Sequence, residues 1–326
     1  MSLSKTTLWF AALLAAAPGF AADQQPVQRD YPSKPVRVVV PYAAGGPMDF
    51  TARMVGRKMQ DVMTLVVDNR PGAGGALGTD LVAKAAPDGY TMLHTSSSHA
   101  SLPVITKSLP YDPVKDFAPV TMLVKSVGFL VVVHPSVPAR TIRELIASAK
   151  AQPGKFNYGS GGVGNVMHFA PEIFNVMAGT KLAHVPYKGV GQAITDLLGG
   201  RIDLCFGPGT VLAPHVKSGK LRALGITASA RWSELPDVPT VDEAGVKGYL
   251  FVPWYGFWFP AGTPNQYVNR MRDEMAKAME DPEMKRAFAE QGFAPASSTP
   301  AEFAKTIVAD IEANRQLAAK IGLMPE

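Results

Sequence analysis

Val36-Arg37-Val38-Val39-Val40-Pro41-Tyr42-Ala43-Ala44-Gly45-Gly46-Pro47-Met48-Asp49-Phe50 holds a strand, a glycine loop and a helix start in immediate succession. The run Val36 to Val40 is almost wholly β-branched and is closed by Pro41, which reads as a buried strand. Pro47 suits the first turn of a helix, where a missing N–H is no loss. Phe50, Met54 and Val55 then give that helix an apolar stripe. Downstream, Leu65 to Val67 reads as a second strand, the glycine-rich stretch Gly72 to Gly78 leads into another helix, and Tyr90 to Leu93 is a third strand. This alternation predicts a βαβαβ unit with a parallel sheet.

A second alternation follows. It begins with an apolar strand over Gly128 to Val133, then a helix over Thr141 to Ala151, a strand over Phe156 to Tyr158 and a helix from about Val166. Strand Leu182 to Val185, helix Gln192 to Leu198, strand Ile202 to Phe206, helix Val211 to Lys217 and strand Leu221 to Ile226 complete it. An aromatic strand over Tyr249 to Phe259 leads out. The remaining tail is helical, with stripes at Val268, Met271, Met275 and at Phe303, Ile307, Ile311. Lacking strands for a third sheet, the tail is expected to return to the first. The fold class is thus α/β with two lobes, each a mostly parallel sheet flanked by helices. The first domain spans 31–126 and 252–326, the second 127–251. The crossings fall near Lys125–Phe129 and Phe251–Phe257.

The 326 residues are 47% hydrophobic and 18% charged, with a formal charge of +5 and no block of five or six basic residues. That argues against a nucleic-acid partner. Lys5, the apolar run Leu8 to Ala17 and the small residues Gly19 and Ala21 make a secretory signal over residues 1–22, cleaved near Ala21 or Ala22. Its removal takes away Lys5 and leaves 5 − 1 = +4. The apolar run is shorter than the ~20 residues a membrane span needs. The expected location is the periplasm. Cys205 is the sole cysteine, which excludes an intrachain disulfide and a thiolate metal set, and no cysteine near the cleavage site could carry a lipid.

Open α/β sheets bind ligands beyond the carboxyl ends of their strands, at helix N-termini. Two loops here share that character: Tyr42-Ala43-Ala44-Gly45-Gly46-Pro47 and Ser160-Gly161-Gly162-Val163-Gly164-Asn165. Glycines let backbone N–H groups approach an anion closely, and the helix dipole favours negative charge there. The same glycines also suit plain tight turns, so composition leaves both readings open. Asp49 either touches the ligand or bound water, or accepts hydrogen bonds from its own loop. Ser96, Ser97, Ser98 and His99 follow the third strand and reach the same edge, as ligand donors or as an ordinary loop. Asn165 and His168 stand on the first turn after the second loop, where His168 reads as a ligand contact or as a packed side chain. In the run Trp254-Tyr255-Gly256-Phe257-Trp258, half the side chains would be core and half, Trp254 among them, could face the cleft.

Catalytic motifs are missing in a consistent way. Gly159-Ser160-Gly161-Gly162-Val163-Gly164 matches the dinucleotide pattern, but the next strand ends at Val185-Pro186-Tyr187-Lys188 with no carboxylate to hold a ribose. A nucleophile elbow would need glycine where Tyr158 stands. No Walker A sequence occurs, and the six histidines have no metal-site spacing. No metal, no cofactor and no catalysis are expected; the chemistry is that of binding.

Tyr31-Pro-Ser-Lys-Pro-Val-Arg, Pro41-Tyr-Ala-Ala-Gly-Gly-Pro-Met-Asp, Asn69-Arg-Pro-Gly-Ala-Gly-Gly, Pro87-Asp-Gly-Tyr, His184-Val-Pro-Tyr-Lys-Gly, Leu235-Pro-Asp-Val-Pro-Thr and Pro260-Ala-Gly-Thr-Pro together make a specific signature. With them the mature chain resembles the Bug family, the periplasmic receptors of the tripartite tricarboxylate transporter system. The resemblance implies a type II periplasmic binding fold that closes on its ligand like a flytrap, and two glycine loops that grip a carboxylate through amides and ordered water. It carries over to Tyr42, Ala44, Gly45, Gly46 and Asp49 in one lobe, and to Ser160, Gly161, Gly162, Asn165 and His168 in the other. It also implies delivery to the large and small subunits of a membrane permease.

Three positions depart from the family pattern. Met48 replaces a small or hydroxylated residue, Asn165 stands where serine is common, and Gly207-Pro208-Gly209 follows Phe206 where aspartate is frequent. Without a carboxylate at Gly207, a ligand ammonium has no partner, so an acid lacking one is expected: a dicarboxylate, aliphatic or aromatic. The receptor is expected to act as a monomer. A ligand-presenting receptor for a membrane sensor kinase is the alternative; a periplasmic enzyme on the same scaffold is the remoter one.

Overall fold

The computed structural model describes residues 31–321; the expected export signal lies outside them. In the first sheet β1 (Val36–Val40) lies between β2 (Leu65–Asn69) and β3 (Thr91–Ser96), parallel to both. Helices α1 (Pro47–Lys58) and α2 (Ala76–Ala83) make the crossovers. The sheet is extended beyond β3 by β10 (Trp254–Pro260), β4 (Phe117–Ser126) and β11 (Phe293–Pro295), in the order β11-β4-β10-β3-β1-β2. Because β10 is antiparallel to both β3 and β4, β4 runs the same way as β1 to β3. Most strands therefore share one direction, yet three of the five strand pairings are antiparallel.

The second sheet repeats the device. Its order is β7-β6-β8-β5-β9, with β5 (Phe129–Val133), β6 (Asn157–Ser160), β7 (Ala183–Pro186), β8 (Leu204–Pro208) and β9 (Arg222–Ile226). β6 pairs in parallel with β7 and β8, while β5 is antiparallel to β8 and β9. Helices α4 (Ile142–Ala151), α5 (Val166–Ala178), α6 (Val190–Leu198) and α7 (Gly209–Lys217) flank it. In each sheet the strand that enters from the other, β10 or β5, is the inserted antiparallel one.

The two passages between sheets run side by side. The Ser126 amide donates to the Pro253 carbonyl at 2.7 Å. Thr227 ties the second sheet in, accepting from the Phe129 amide at 2.7 Å and donating to the Phe251 carbonyl at 2.6 Å. Helix α3 (Ser98–Ile105) also bridges: Val104 and Ile105 pack in the core of the second sheet.

β10 shows why the aromatic run exists. Every residue of it is buried. Trp254 and Trp258 pack on one face with Phe303, Ile307 and Ile311 of α10 (Pro300–Ile321), and Tyr255, Phe257 and Phe259 pack on the other with Val268, Met271 and Met275 of α8 (Asn265–Glu280). A central strand covered on both faces alternates between two cores rather than between core and solvent. Burying one such ring contributes about 2–3 kcal/mol, and Trp258→Ala would cost about 3–5 kcal/mol. The strand begins at Trp254, not Tyr249. β3 likewise runs on to Ser96, where polarity suggested a loop after Leu93, and α3 begins at Ser98. β4, interrupted by Pro119, and the three-residue β11 have no clear alternating pattern and were not anticipated.

Candidate functional site

The loop after β1 and the loop after β6 meet at one cavity of about 20 Å³. Four helix starts reach it. Gly46, Pro47 and Met48 come from α1, Asn165, Val166 and Met167 from α5, Val190 from α6, and Pro208 from the residue before α7. Tyr42, Phe129 and Tyr255 complete much of the wall, and among the described residues no charged side chain lines it. The unpaired N–H groups of a helix start, with the positive end of its dipole, favour an anion. Four positive helix ends and no carboxylate in the lining make this cavity electrostatically suited to a negative group.

The start of α1 is open. Its cap, Gly46, offers no side-chain hydrogen bond, and Pro47 has no N–H. The Phe50 amide donates to the Gly46 carbonyl at 3.0 Å. Among the described residues, the amides of Gly46, Met48 and Asp49 donate to no protein acceptor. Gly45 has φ +84°, a left-handed conformation that glycine adopts without strain. Its amide donates to Asp49 Oδ2 at 3.1 Å, and Arg53 donates to Oδ1 at 3.0 Å. Burial alone would raise the Asp49 carboxyl, but the bonds from Arg53 and the Gly45 amide outweigh it and hold the group below its usual value. Asp49 thus shapes its loop and stands outside the cavity lining. Beneath the loop, Thr51 Oγ1 lies 2.6 Å from His94 Nε2, whose Nδ1 is 2.7 Å from the Gly256 carbonyl. Burial pushes His94 down to about 4, so it is neutral and ties α1 to β10.

The start of α5 is occupied. The Val166 amide donates to Ser98 Oγ of α3 at 3.1 Å, and Met167 donates to Asn165 Oδ1 at 2.8 Å. The His168 amide bonds the Asn165 carbonyl at 2.8 Å. Asn165 is therefore a helix cap first. That leaves Gly161 as the peptide of this loop on the cavity, and its amide has no protein acceptor among the described residues. Gly162 lines a larger outer pocket instead. Ser160 is fully buried; its oxygen accepts from the Gly162 amide at 3.0 Å and lies 2.6 Å from His184 Nε2. Burial, and then the neighbouring His168, push His184 down to about 3. The rings of His168 and His184 stack at 4.0 Å, and His168 Nδ1 accepts from the Gly164 amide at 3.3 Å. This serine and histidine pair resembles a nucleophile with its base, but the hydroxyl is enclosed in its own loop and does not line the cavity. It holds the turn.

Several candidate residues lie elsewhere. His99 is buried among Tyr111, Phe117 and Trp258, with Nε2 2.7 Å from the Pro113 carbonyl. Trp254 Nε1 donates to Asp310 at 2.6 Å, and its ring meets Phe303 edge-on. Gly207 is buried where a Cβ would meet Leu212 at 2.9 Å, and the neighbouring Pro208 reaches the cavity in its place. Ser97 gives its amide to the Trp254 carbonyl at 2.8 Å, while Ala44 and Gly45 sit exposed on the loop crest. Tyr42 lines the cavity and donates its hydroxyl to the Gly74 carbonyl at 2.8 Å. Of the aromatic run only Tyr255 faces in; burial raises its pKa, and its hydroxyl has no partner among the described residues. The start of α6 escaped the sequence reading, although Lys188-Gly189-Val190-Gly191 carries the same strand–glycine–helix signal. Gly189 and Gly46 let the lobes approach here: a Cβ on Gly189 would lie 3.0 Å from that of Ala43, and one on Gly46 3.3 Å from Val190. Among the described residues, no cluster of three His, Cys, Asp or Glu could hold a metal, and no helix is long and apolar enough to cross a membrane.

Two α/β lobes with facing glycine loops and a charge-free cavity between them define a two-lobed solute-binding protein. The family model TctC, "Tripartite tricarboxylate transporter family receptor", matches residues 51–323, and the chain belongs to that family. Protein BugT of Bordetella pertussis is 37% identical over 294 residues, 88% of this chain and 89% of its own. The periplasmic binding protein BugD is 32% identical, with a TM-score of 0.87 over 91% of this chain and all of its own. Rpa4515 of R. palustris, solved with adipate, is 30% identical with a TM-score of 0.87, covering 91% of this chain and 100% of its own. MatC of Rhodopseudomonas palustris, with bound malate, is 29% identical with a TM-score of 0.83, covering 88% and 99%. The family is one of solute-binding receptors, and its solved members include periplasmic binding proteins.

Proposed function

We propose that this chain is a periplasmic receptor that captures a small dicarboxylate between its lobes and delivers it to a tripartite tricarboxylate-type permease. The observation that carries the reading is the convergence of four helix starts on a cavity without a charged side chain. One carboxylate would be held by the amides of Gly46, Met48 and Gly161, with the hydroxyl of Tyr255 beside them. Met48 makes the wall apolar, and the lack of any acid in the lining disfavours amino acids. Adipate and malate in two related structures support the ligand class. Residues 1–22 would direct export and be removed near Ala21 or Ala22.

Calorimetric titration of the mature protein with malate, succinate, glutarate, adipate, phthalate, benzoate and glutamate tests the proposal. At least one dicarboxylate should bind with a micromolar or lower Kd, and glutamate more weakly than its ammonium-free analogue glutarate. Tight binding of amino acids with no response to any dicarboxylate would overturn it.

A further inference from the structure

The cavity at the helix starts is too small for a whole ligand. At about 20 Å³ it takes little more than one water-sized group, so an acid can place only its head there. Gly161 lines this cavity and also a second, outer pocket of about 490 Å³. The outer pocket is likewise built by both lobes: Gly72 and Gly74 on one side, Gly161, Gly162, Tyr187 and Lys188 on the other. Its first wall is unusual backbone. Ala73, a non-glycine residue, is held at φ +46° between Gly72 at +146° and Gly74 at +61°. A Cβ on Gly74 would overlap the Val163 carbonyl oxygen, so the two loops touch through bare backbone beside the pocket.

Among the described residues, Lys188 is the one charged side chain in the lining of this outer pocket. It is exposed and forms no ion pair among the described residues. Its own amide is held by Gln192 Oε1 at 3.1 Å, which fixes the backbone just before α6 while the ammonium is uncommitted. A single lysine on a flexible stem attracts a carboxylate as a point charge without demanding one geometry.

We propose that Lys188 is the specificity-determining residue for the far carboxylate: the ligand's head sits at the helix starts, its chain passes Gly161, and its second carboxylate meets the Lys188 ammonium in the outer pocket. This deepens the carboxylate-receptor reading and rests on it. The pocket's backbone walls would then tolerate several chain lengths, and the lysine would separate dicarboxylates from monocarboxylates.

The test pairs each α,ω-dicarboxylate from four to eight carbons with the monocarboxylate of equal length, titrated calorimetrically into the wild type and Lys188→Met. In the wild type the best dicarboxylate should bind at least tenfold more tightly than its partner. Lys188→Met should remove that preference and leave monocarboxylate affinity within twofold, and Lys188→Arg should keep most of it. A dicarboxylate preference undiminished in Lys188→Met overturns the assignment while leaving the inner site standing. So does an equal loss for both acid types, which would mark a general role in closure. If no acid of the series binds the wild type, the receptor reading fails and the assignment fails with it.

Discussion

The two glycine loops look alike in sequence, yet the helix starts behind them differ in what is left to bind with. At α1 the cap is a glycine with no side chain to offer, Pro47 removes one donor, and three amides are unclaimed. At α5 the cap is Asn165, its side chain satisfies Met167, and Ser98 from the opposite lobe satisfies Val166. A helix start attracts anions only in so far as its amides are unspent. The first loop is thus the one with more amides left for an anion, and the second keeps the single peptide of Gly161 and a rigid edge.

The largest effect should come from filling either loop. A Cβ on Gly46 would lie 3.3 Å from Val190, and one on Gly161 3.3 Å from Asn165, side chains that can give a few tenths of an ångström. Neither glycine has a left-handed backbone. Gly46→Leu and Gly161→Leu should therefore fold, with melting temperatures near wild type, but block the cavity. Binding of the preferred acid should weaken at least a thousandfold, about 4 kcal/mol. Wild-type affinity in both variants, measured by calorimetry, would remove the cavity as the binding site.

Each loop also rests on a neutral histidine, and acid should separate the two. His94, beneath α1, is held near 4 by burial, and His184, beneath the second loop, near 3. An unfolded histidine titrates near 6.5. Below that pH the unfolded chain takes up protons that the folded chain refuses, so stability falls as pH drops from 6.5 towards 4 and levels off below the folded value. For the fully buried His94 the loss is about 3 kcal/mol over this range. Urea unfolding at pH 7 and pH 4.5 should show wild type losing stability more steeply than His94→Gln. Identical slopes would mean that His94 takes up its proton as readily in the folded protein as in the unfolded chain.

How far the sequence carried this comparison depends on range. Strand, glycine loop and helix start are local signals, so Val36 to Met54 and the second alternation were legible from spacing alone. What failed was relational. The third strand reads as ending at Leu93 because the burial of His94 depends on Thr51 and on the Gly256 carbonyl, forty or more residues away. Trp254 and His99 read as cleft residues because nothing local announces Asp310 or the Pro113 carbonyl as partners. The unequal filling of the two helix starts was equally hidden, since Ser98 and Val166 are 68 residues apart. The glycines marked where a ligand could approach. Only the folded contacts decide which amides are free to meet it.

Asn165→Ala tests the occupied start directly. Loss of a helix cap should lower stability by about 1 kcal/mol, read as the midpoint of urea unfolding. Affinity for the acid should fall less, because the Asn165 side chain is committed to Met167 rather than to the ligand. A large loss of affinity with unchanged stability would reverse that ranking and make Asn165 a ligand donor.

The smallest effect carries the most information about direction. Ser98 does not line the cavity, yet its oxygen accepts from the Val166 amide at 3.1 Å and lies 3.4 Å from Asn165 Nδ2, both across the interlobe boundary. Ser101 adds a third link, donating to the Gly164 carbonyl at 2.9 Å. In Ser98→Ala the Val166 amide would be left without its acceptor inside the closed cleft, at a cost of about 1 kcal/mol to the closed form. Binding should weaken about fivefold, through a faster dissociation rate, because the loss falls on the closed state. The sign decides between two accounts of α5. If its amides serve only the protein, removing Ser98 can only loosen closure. If the freed Val166 amide turns to the ligand instead, Ser98→Ala will bind the acid more tightly, and the difference between the two loops is one of occupancy that a single hydroxyl maintains.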